Sequence, residues 1–412
     1  MTEGETEEEQ KKLEFNFPLL IIRTQIFSGL FDRLGSLRIS KLFSWIGLFL
    51  VPLIAGGGLY LIFTNLFTLL ATPAAREVTR NLGLGAYLLL PGVNPFLPIL
   101  YGWLAIVCAI VVHEGAHGII ARNRDLNVKS SGLIFLLVIP IGAFVDVDEE
   151  QIEEAEAKDS LRVMAGGVAA NVAAALVCLL GILLLVNGLT PIIISGVYVN
   201  HVIEDTPAEA AGLEAQDVII SLNGMQITDD KDLKQALEGK QSGDTISITV
   251  ARGEGWTQNF STSLTLTESQ EGDPVMGVYL SNINTEQVLA QYRQITPETL
   301  ILYLVPPSFG AGQGLVPFSD RLAHFYTHSI GPQWQTYSNL LFWVWFVNIN
   351  VAVFNALPIY PFDGGRMLNI SLKNRLHKKM KEKNILRITY AVTTIILSVI
   401  LMTVIIPYLP LG

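Results

Sequence analysis

The sequence predicts a polytopic α-helical membrane protein, with about five transmembrane helices, a membrane-associated β-hairpin and one inserted soluble α+β module. Of its 412 residues, 50% are hydrophobic and only 16% charged, against about 25% charged in ordinary soluble domains. Five stretches (42–75, 81–112, 163–200, 329–362 and 388–412) contain no Asp, Glu, Lys or Arg, and each exceeds the roughly 20 residues that cross a bilayer as a helix. Between the third and fourth spans the composition turns polar and acidic, with 14 acidic and 4 basic residues in 190–283. A single-core soluble enzyme and a disordered chain are both excluded. A net charge of −10 argues against a nucleic-acid partner, which needs clustered Lys and Arg on an exposed face.

Residues 1–12 are acidic and polar, and lack the basic flank and apolar core of a signal peptide. Residues 13–40 alternate apolar residues with Arg23, Arg33 and Arg38, a pattern suited to a membrane surface. Spans are expected over about 42–70, 96–122, 163–186, 339–357 and 388–406. Leu133 to Val147 holds Pro140, Gly142 and β-branched residues, and reads as a hairpin of strands. From about 191 to 282 come strands such as Ile246 to Val250, turn signals at Asn223-Gly224 and Gly243-Asp244, and a helical window from Asp230 to Leu237. Residues 283–335, rich in Pro and Gly, carry no clear assignment. Cys108 and Cys178 lie in apolar spans and report no redox compartment.

Lys and Arg in short loops set orientation. Residues 364–387 carry Arg366, Lys373, Arg375, Lys378, Lys379, Lys381, Lys383 and Arg387 against the single Glu382. That loop is expected in the cytoplasm of a plasma-membrane protein, with the soluble module outside.

His113-Glu-Gly-Ala-His117 lies on the second span. On a helix its imidazoles fall about 40° apart and one turn apart in height, with Glu114 beside them. Two imidazoles with a carboxylate nearby can bind zinc and handle the proton of an activated water. The third ligand is expected from Asp363, in Asn355-Ala-Leu-Pro-Ile-Tyr-Pro-Phe-Asp363-Gly-Gly, where two prolines and two glycines break the fourth span. The alternative there is an interfacial turn with a solvated carboxylate. Asn355 reads either as a helix-packing amide or as a donor to a developing oxyanion. His324 and His328 repeat the spacing without a following Glu and read as packing histidines.

His113-Glu-Gly-Ala-His117, together with the Asn-x-x-Pro-x-x-x-x-Asp-Gly pattern of Asn355 to Gly364, resembles the site-2 protease family of intramembrane zinc metalloproteases, in its prokaryotic form with an inserted PDZ domain. Gly142-Ala143-Phe144-Val145 resembles that family's membrane hairpin, and Gly167 to Asn171 its Gly-x-x-x-Asn turn, with Val168 where a Pro is customary. The resemblance covers about residues 95–400. It implies His113, His117 and Asp363 as ligands of one zinc ion, Glu114 as general base, and Asn355 as a contact to the substrate. It also implies hydrolysis of single-span membrane proteins whose ectodomains have already been trimmed. An edge strand of the hairpin would hold the unwound substrate backbone.

The soluble module resembles a PDZ domain through Asp205 to Leu213, Gln216 to Gly224 and Gly243 to Ile248. Gly277 and Val278, after Met276, would form the loop that caps a peptide carboxylate, with Gly196-Val197 a rival placement. The module would bind peptides or act as a passive plug. A membrane metal transporter whose His and Asp form a transit site, or a PDZ-bearing membrane scaffold, is the non-enzymatic alternative.

Overall fold

Every apolar run forms a helix, and most of the helices extend into the polar residues that flank the run. The computed structural model describes residues 13–137, 139–193, 195–269, 272–310 and 314–410. It comprises two compact units, one of residues 1–180 with 340–412 and one of 181–339.

The chain opens with β1 (Leu13–Asn16), β2 (Leu19–Thr24), α1 (Ser28–Gly35), α2 (Arg38–Ala71), α3 (Pro73–Leu82) and α4 (Ile99–Asn123), then β3 (Val128–Leu136), β4 (Ile139–Val147), α5 (Glu149–Glu154) and α6 (Ala157–Asn187). The segment expected along a membrane surface is thus two strands and a short helix. β2 pairs antiparallel with β3, making a four-stranded sheet of order β1-β2-β3-β4. The expected hairpin is its β3–β4 half, and β3 begins five residues earlier because Lys129, Ser130 and Ser131 carry no apolar signal. β4 is left as a sheet edge beside α4. α1 packs on α4, where Asn123 donates its amide to the Gly35 carbonyl at 2.6 Å.

The buried start of α6 is held by Arg162. Its guanidinium donates to Ser44 Oγ at 2.7 and 3.0 Å, pairs with Asp159 at 3.2 Å and lies over the Trp45 ring. A buried guanidinium needs such a set of acceptors.

The second unit contains β5 (Leu189–Pro191), β6 (Ser195–Val202), α7 (Pro207–Ala210), β7 (Val218–Leu222), β8 (Met225–Gln226), α8 (Asp230–Leu237), β9 (Thr245–Arg252), β10 (Gln258–Thr265), β11 (Thr267–Glu268), β12 (Pro274–Val275), β13 (Val278–Asn284), α9 (Thr285–Arg293), α10 (Pro297–Leu300) and β14 (Tyr326–His328). Its main sheet runs β10-β9-β7-β6-β13, with β8 on β7. α8 occupies the expected window and begins where the Asp229 carboxylate accepts from the backbone of Lys231 and Asp232, an N-cap. Inward residues of the sheet, including Val197, Val199, Ile219, Ile246, Ile248 and Val250, form the core of the module. The unassigned 283–335 contains α9, α10 and β14, the last pairing with β5.

α11 (Trp334–Ala356), α12 (Asp363–Leu376) and α13 (Glu382–Ile405) complete the chain. α2, α4, α6, α11 and the helix from Glu382 to Tyr408 are long and apolar enough to cross a membrane. A core of Ile120, Val163, Ala165, Val168, Ala352, Ala356 and Met367 joins α4, α6, α11 and α12. Those four helices carry the candidate site.

Candidate metal centre

Helical spacing puts His113 and His117 of α4 on one face, with their Nε2 atoms 3.2 Å apart. The chain returns to them at the start of α12. There the Pro358 and Pro361 segment ends α11, the backbone N–H of Tyr360 donates to Thr393 Oγ1 of α13 at 2.9 Å, and α12 starts at Asp363. Gly364 and Gly365 allow this: a Cβ on either would collide with the backbone of Ala356, Leu357, Ile359 or Tyr360. Asp363 is buried, and its Oδ2 lies 3.1 Å from His113 Nε2 and 3.4 Å from His117 Nε2. Among the described residues these three are the one group of His, Cys, Asp and Glu side chains that converges closely enough to share a metal ion.

The protons in the site can be located. His117 Nδ1 lies 2.9 Å from the Val163 carbonyl, which only accepts, so Nδ1 carries the hydrogen. The Asn171 amide donates to the Ala109 carbonyl at 2.9 Å and to Asn348 Oδ1 at 2.8 Å, so its Oδ1, 2.6 Å from His113 Nδ1, is the acceptor. In the neutral imidazoles that metal ligation requires, both Nε2 atoms are then bare lone pairs.

Both Nε2 atoms face the buried Asp363 Oδ2, at 3.1 and 3.4 Å. With both rings neutral these are three acceptors crowded together, an arrangement that a shared proton or a metal cation relieves. Their separations match the roughly 3.3–3.4 Å between donors around tetrahedral zinc at bond lengths of about 2.0–2.1 Å. Gly167 keeps the space clear, since a Cβ there would stand 2.6 Å from His113 Cε1 and 2.6 Å from His117 Nε2. The residues fit zinc.

Glu114 does not join the donor set. Its Oε2 accepts the backbone N–H of Val145 at 3.2 Å, tying the carboxylate to the edge strand β4. A polar cavity of about 330 Å³ is lined by His113, Glu114, His117, Val145, Asn355 and Asp363, and also by Arg366 and Glu149. Asn355 uses one amide hydrogen on the Val351 carbonyl at 3.1 Å, which leaves the second and its oxygen free for other partners.

An apolar cavity of about 950 Å³ also reaches Glu114 and is lined by residues of α1, α2, α4, α6, β2, β3 and β4, among them Ala143, Phe144 and Val145. Gly142 sits farther along β4, opposite Ile134. Gly277 and Val278 belong to the other unit, at the start of edge strand β13, where the Gly277 carbonyl accepts from the Ile203 backbone at 2.9 Å. Gly196 lies within β6, between β7 and β13, so it offers no free edge.

Sequence reasoning placed Gly167 and Asn171 in a Gly-x-x-x-Asn turn but gave neither a role at the metal, and it did not find Asn348. The signal for Asn171 was its Gly-x-x-x-Asn pattern, and nothing local marked Asn348.

Residues 101–400 match Peptidase family M50. Over 396 residues the chain is 24% identical to the uncharacterized protein MJ0971 of Methanocaldococcus jannaschii, covering 92% of this chain and 89% of that one. It is likewise 24% identical over 318 residues to the candidate zinc metalloprotease CPE1693 of Clostridium perfringens, covering 70% of this chain and 91% of that one. A solved PDZ domain of an SdrC-like protein from Listeria monocytogenes is 31% identical, covers 21% of this chain and 86% of its own, and has a TM-score of 0.19. With His113, His117 and Asp363 converging inside the matched region closely enough to hold a metal ion, the chain belongs to peptidase family M50, a family of zinc metalloproteases.

Proposed function

We propose that the protein hydrolyses peptide bonds within the transmembrane segments of other membrane proteins. One observation carries this reading: Glu114 and Val145 line both the polar cavity of the metal donors and the large apolar cavity between the helices. An apolar substrate segment lodged in the second would offer its backbone to the first.

Zinc held by His113, His117 and Asp363 would supply Lewis acidity, polarising a peptide carbonyl and making water nucleophilic near neutral pH. Glu114 takes a proton from the attacking water and returns it to the leaving nitrogen. Its bond to Val145 keeps it against β4, whose free edge accepts an unwound substrate strand. A helical substrate must unwind first, because its carbonyls are held in hydrogen bonds to the residue four positions on. Asn355 offers its unused amide hydrogen to the substrate carbonyl as charge develops.

The Lys and Arg bias supports a cytoplasmic 364–387 loop and a PDZ-like module outside, presenting Gly277, Val278 and β13 to incoming peptide ends. In a chain with Cys108 and Cys178 changed to Ser, Gln241→Cys and Lys379→Cys should label from opposite sides of sealed vesicles. Labelling of both from one side would overturn that topology.

Glu114→Gln tests the chemistry. Cleavage of single-span reporter proteins should fall by about 10²–10⁴-fold, the usual contribution of a positioned acid–base group, with zinc content equal to that of the parent. Loss of zinc as well would make Glu114 a ligand and sink the division of roles.

A further inference from the structure

Hydrolysis leaves two new charges. The water oxygen joins the acyl carbon, the C–N bond breaks, one fragment ends in a carboxylate and the other in an amine that takes up a proton. On the reading above, both form in the polar cavity of about 330 Å³ that the metal donors line. An unpaired carboxylate is disfavoured beside the carboxylates already there.

The walls of that cavity carry four carboxylates, Glu114, Asp146, Glu149 and Asp363, and a single Lys or Arg, Arg366. Arg366 stands one turn after Asp363 in α12, and its backbone N–H donates to the Phe362 carbonyl at 2.9 Å. It also lines a second cavity of about 440 Å³, which shares Glu149, Ile152, Met164 and Arg366 with the first and continues past Asn369, Lys373, Asn374 and His377. Lys373 is already paired with Glu382. Arg366 is held only loosely: its ion-pair partner, Glu149, is 3.8 Å away with a side chain 80% exposed, a type of pair that contributes little. Arg162 contrasts with it, being enclosed by Ser44, Asp159 and Trp45. The planar fork of a guanidinium binds a carboxylate through two parallel hydrogen bonds.

We propose that Arg366 is a product-binding residue, which exchanges Glu149 for the newly formed carboxylate and draws that fragment end from the metal site into the adjoining cavity. The proposal rests on the protease reading.

Two probes test it on the zinc-loaded protein: the peptide acetyl-Leu-Ala-Leu ending in a free carboxylate, and the same peptide ending in an amide. The parent should bind the acid more tightly. Arg366→Gln should shrink the acid-over-amide ratio about tenfold, Arg366→Lys should shrink it less, and Glu149→Gln should preserve or raise it. With a cleaved substrate, Arg366→Gln should keep the zinc content and the single-turnover rate within about twofold while steady-state turnover falls at least fivefold. An unchanged ratio overturns the proposal. So does an equal fall in single-turnover and steady-state rates, or a loss of zinc, either of which makes Arg366 a support of α12. If Arg366→Gln does not fold, Arg366→Lys and Glu149→Gln carry the comparison. If the parent cleaves no membrane substrate, the protease reading fails, while the peptide ratio still decides whether Arg366 binds a carboxylate.

Discussion

Two histidine pairs in this chain share the same spacing and have opposite surroundings. His113 and His117 lie on a continuous α-helix, so four residues bring their rings onto one face, 3.2 Å apart at Nε2. His324 and His328 are separated by a change from a 3-10 turn to strand β14, and the same interval carries no common face. His324 instead packs on Phe325 and Trp256, with ring centroids 4.1 and 5.5 Å away. Burial pushes its imidazole below the ordinary value, only partly offset by a backbone hydrogen bond at Asp320. The proton positions are reversed too. His328 Nδ1 accepts the Ile330 N–H at 3.1 Å, so the neutral ring has its hydrogen on Nε2, whereas neutral His113 and His117 carry theirs on Nδ1. A spacing motif predicts a metal site only when the backbone is helical and the outer nitrogen is given an acceptor.

The comparison can be broken most severely at the ligands. His117→Ala should abolish stoichiometric zinc binding and lower cleavage at least about 10³-fold, whereas His328→Ala should leave zinc content at the parental level. Metal analysis of the two purified proteins decides it, and zinc loss from the second would mean that both pairs bind. Gly167→Ala comes next. Its methyl group must displace both imidazoles, so zinc should be lost largely or wholly while the apolar bundle, monitored by helical circular dichroism, persists. The smallest effect is expected at Asn171→Ala, which removes the acceptor that holds the His113 hydrogen on Nδ1. Loss of such outer support weakens metal binding about 10–100-fold, measurable by competition with a chelator. An affinity equal to the parent's would show that the Asn171 bond does not orient the ligand.

Local features of the sequence were legible. Apolar length gave the spans, the His-Glu-x-x-His interval gave the helical half of the site, and the Pro-rich break before Asp363 marked where the other half begins. What escaped depends on pairing between distant segments. β1 and β2 are strands because β3 offers them a free edge more than 100 residues later in the chain, which no property of Leu13 to Thr24 announces. β3 was read short because its first turns are polar. Asn171 and Asn348 look like isolated amides in apolar helices until folding brings them within 2.8 Å. Arg366 was taken as one of eight basic residues that set topology, and only the cavity walls distinguish it from the others.

The amides behind His113 also decide where protons can go. From His113 Nδ1 the hydrogen bonds pass to Asn171 and on to Asn348, whose own amide ends on the Val344 carbonyl at 2.8 Å. A row of carboxylates or imidazoles in these positions would conduct, since each could take up a proton and release it to the next. Carboxamides do not change protonation state near neutral pH, so this row holds His113 in place and passes nothing along. The candidate metal site is thus insulated against proton flow on that side, and on the protease reading proton transfer would fall to Glu114.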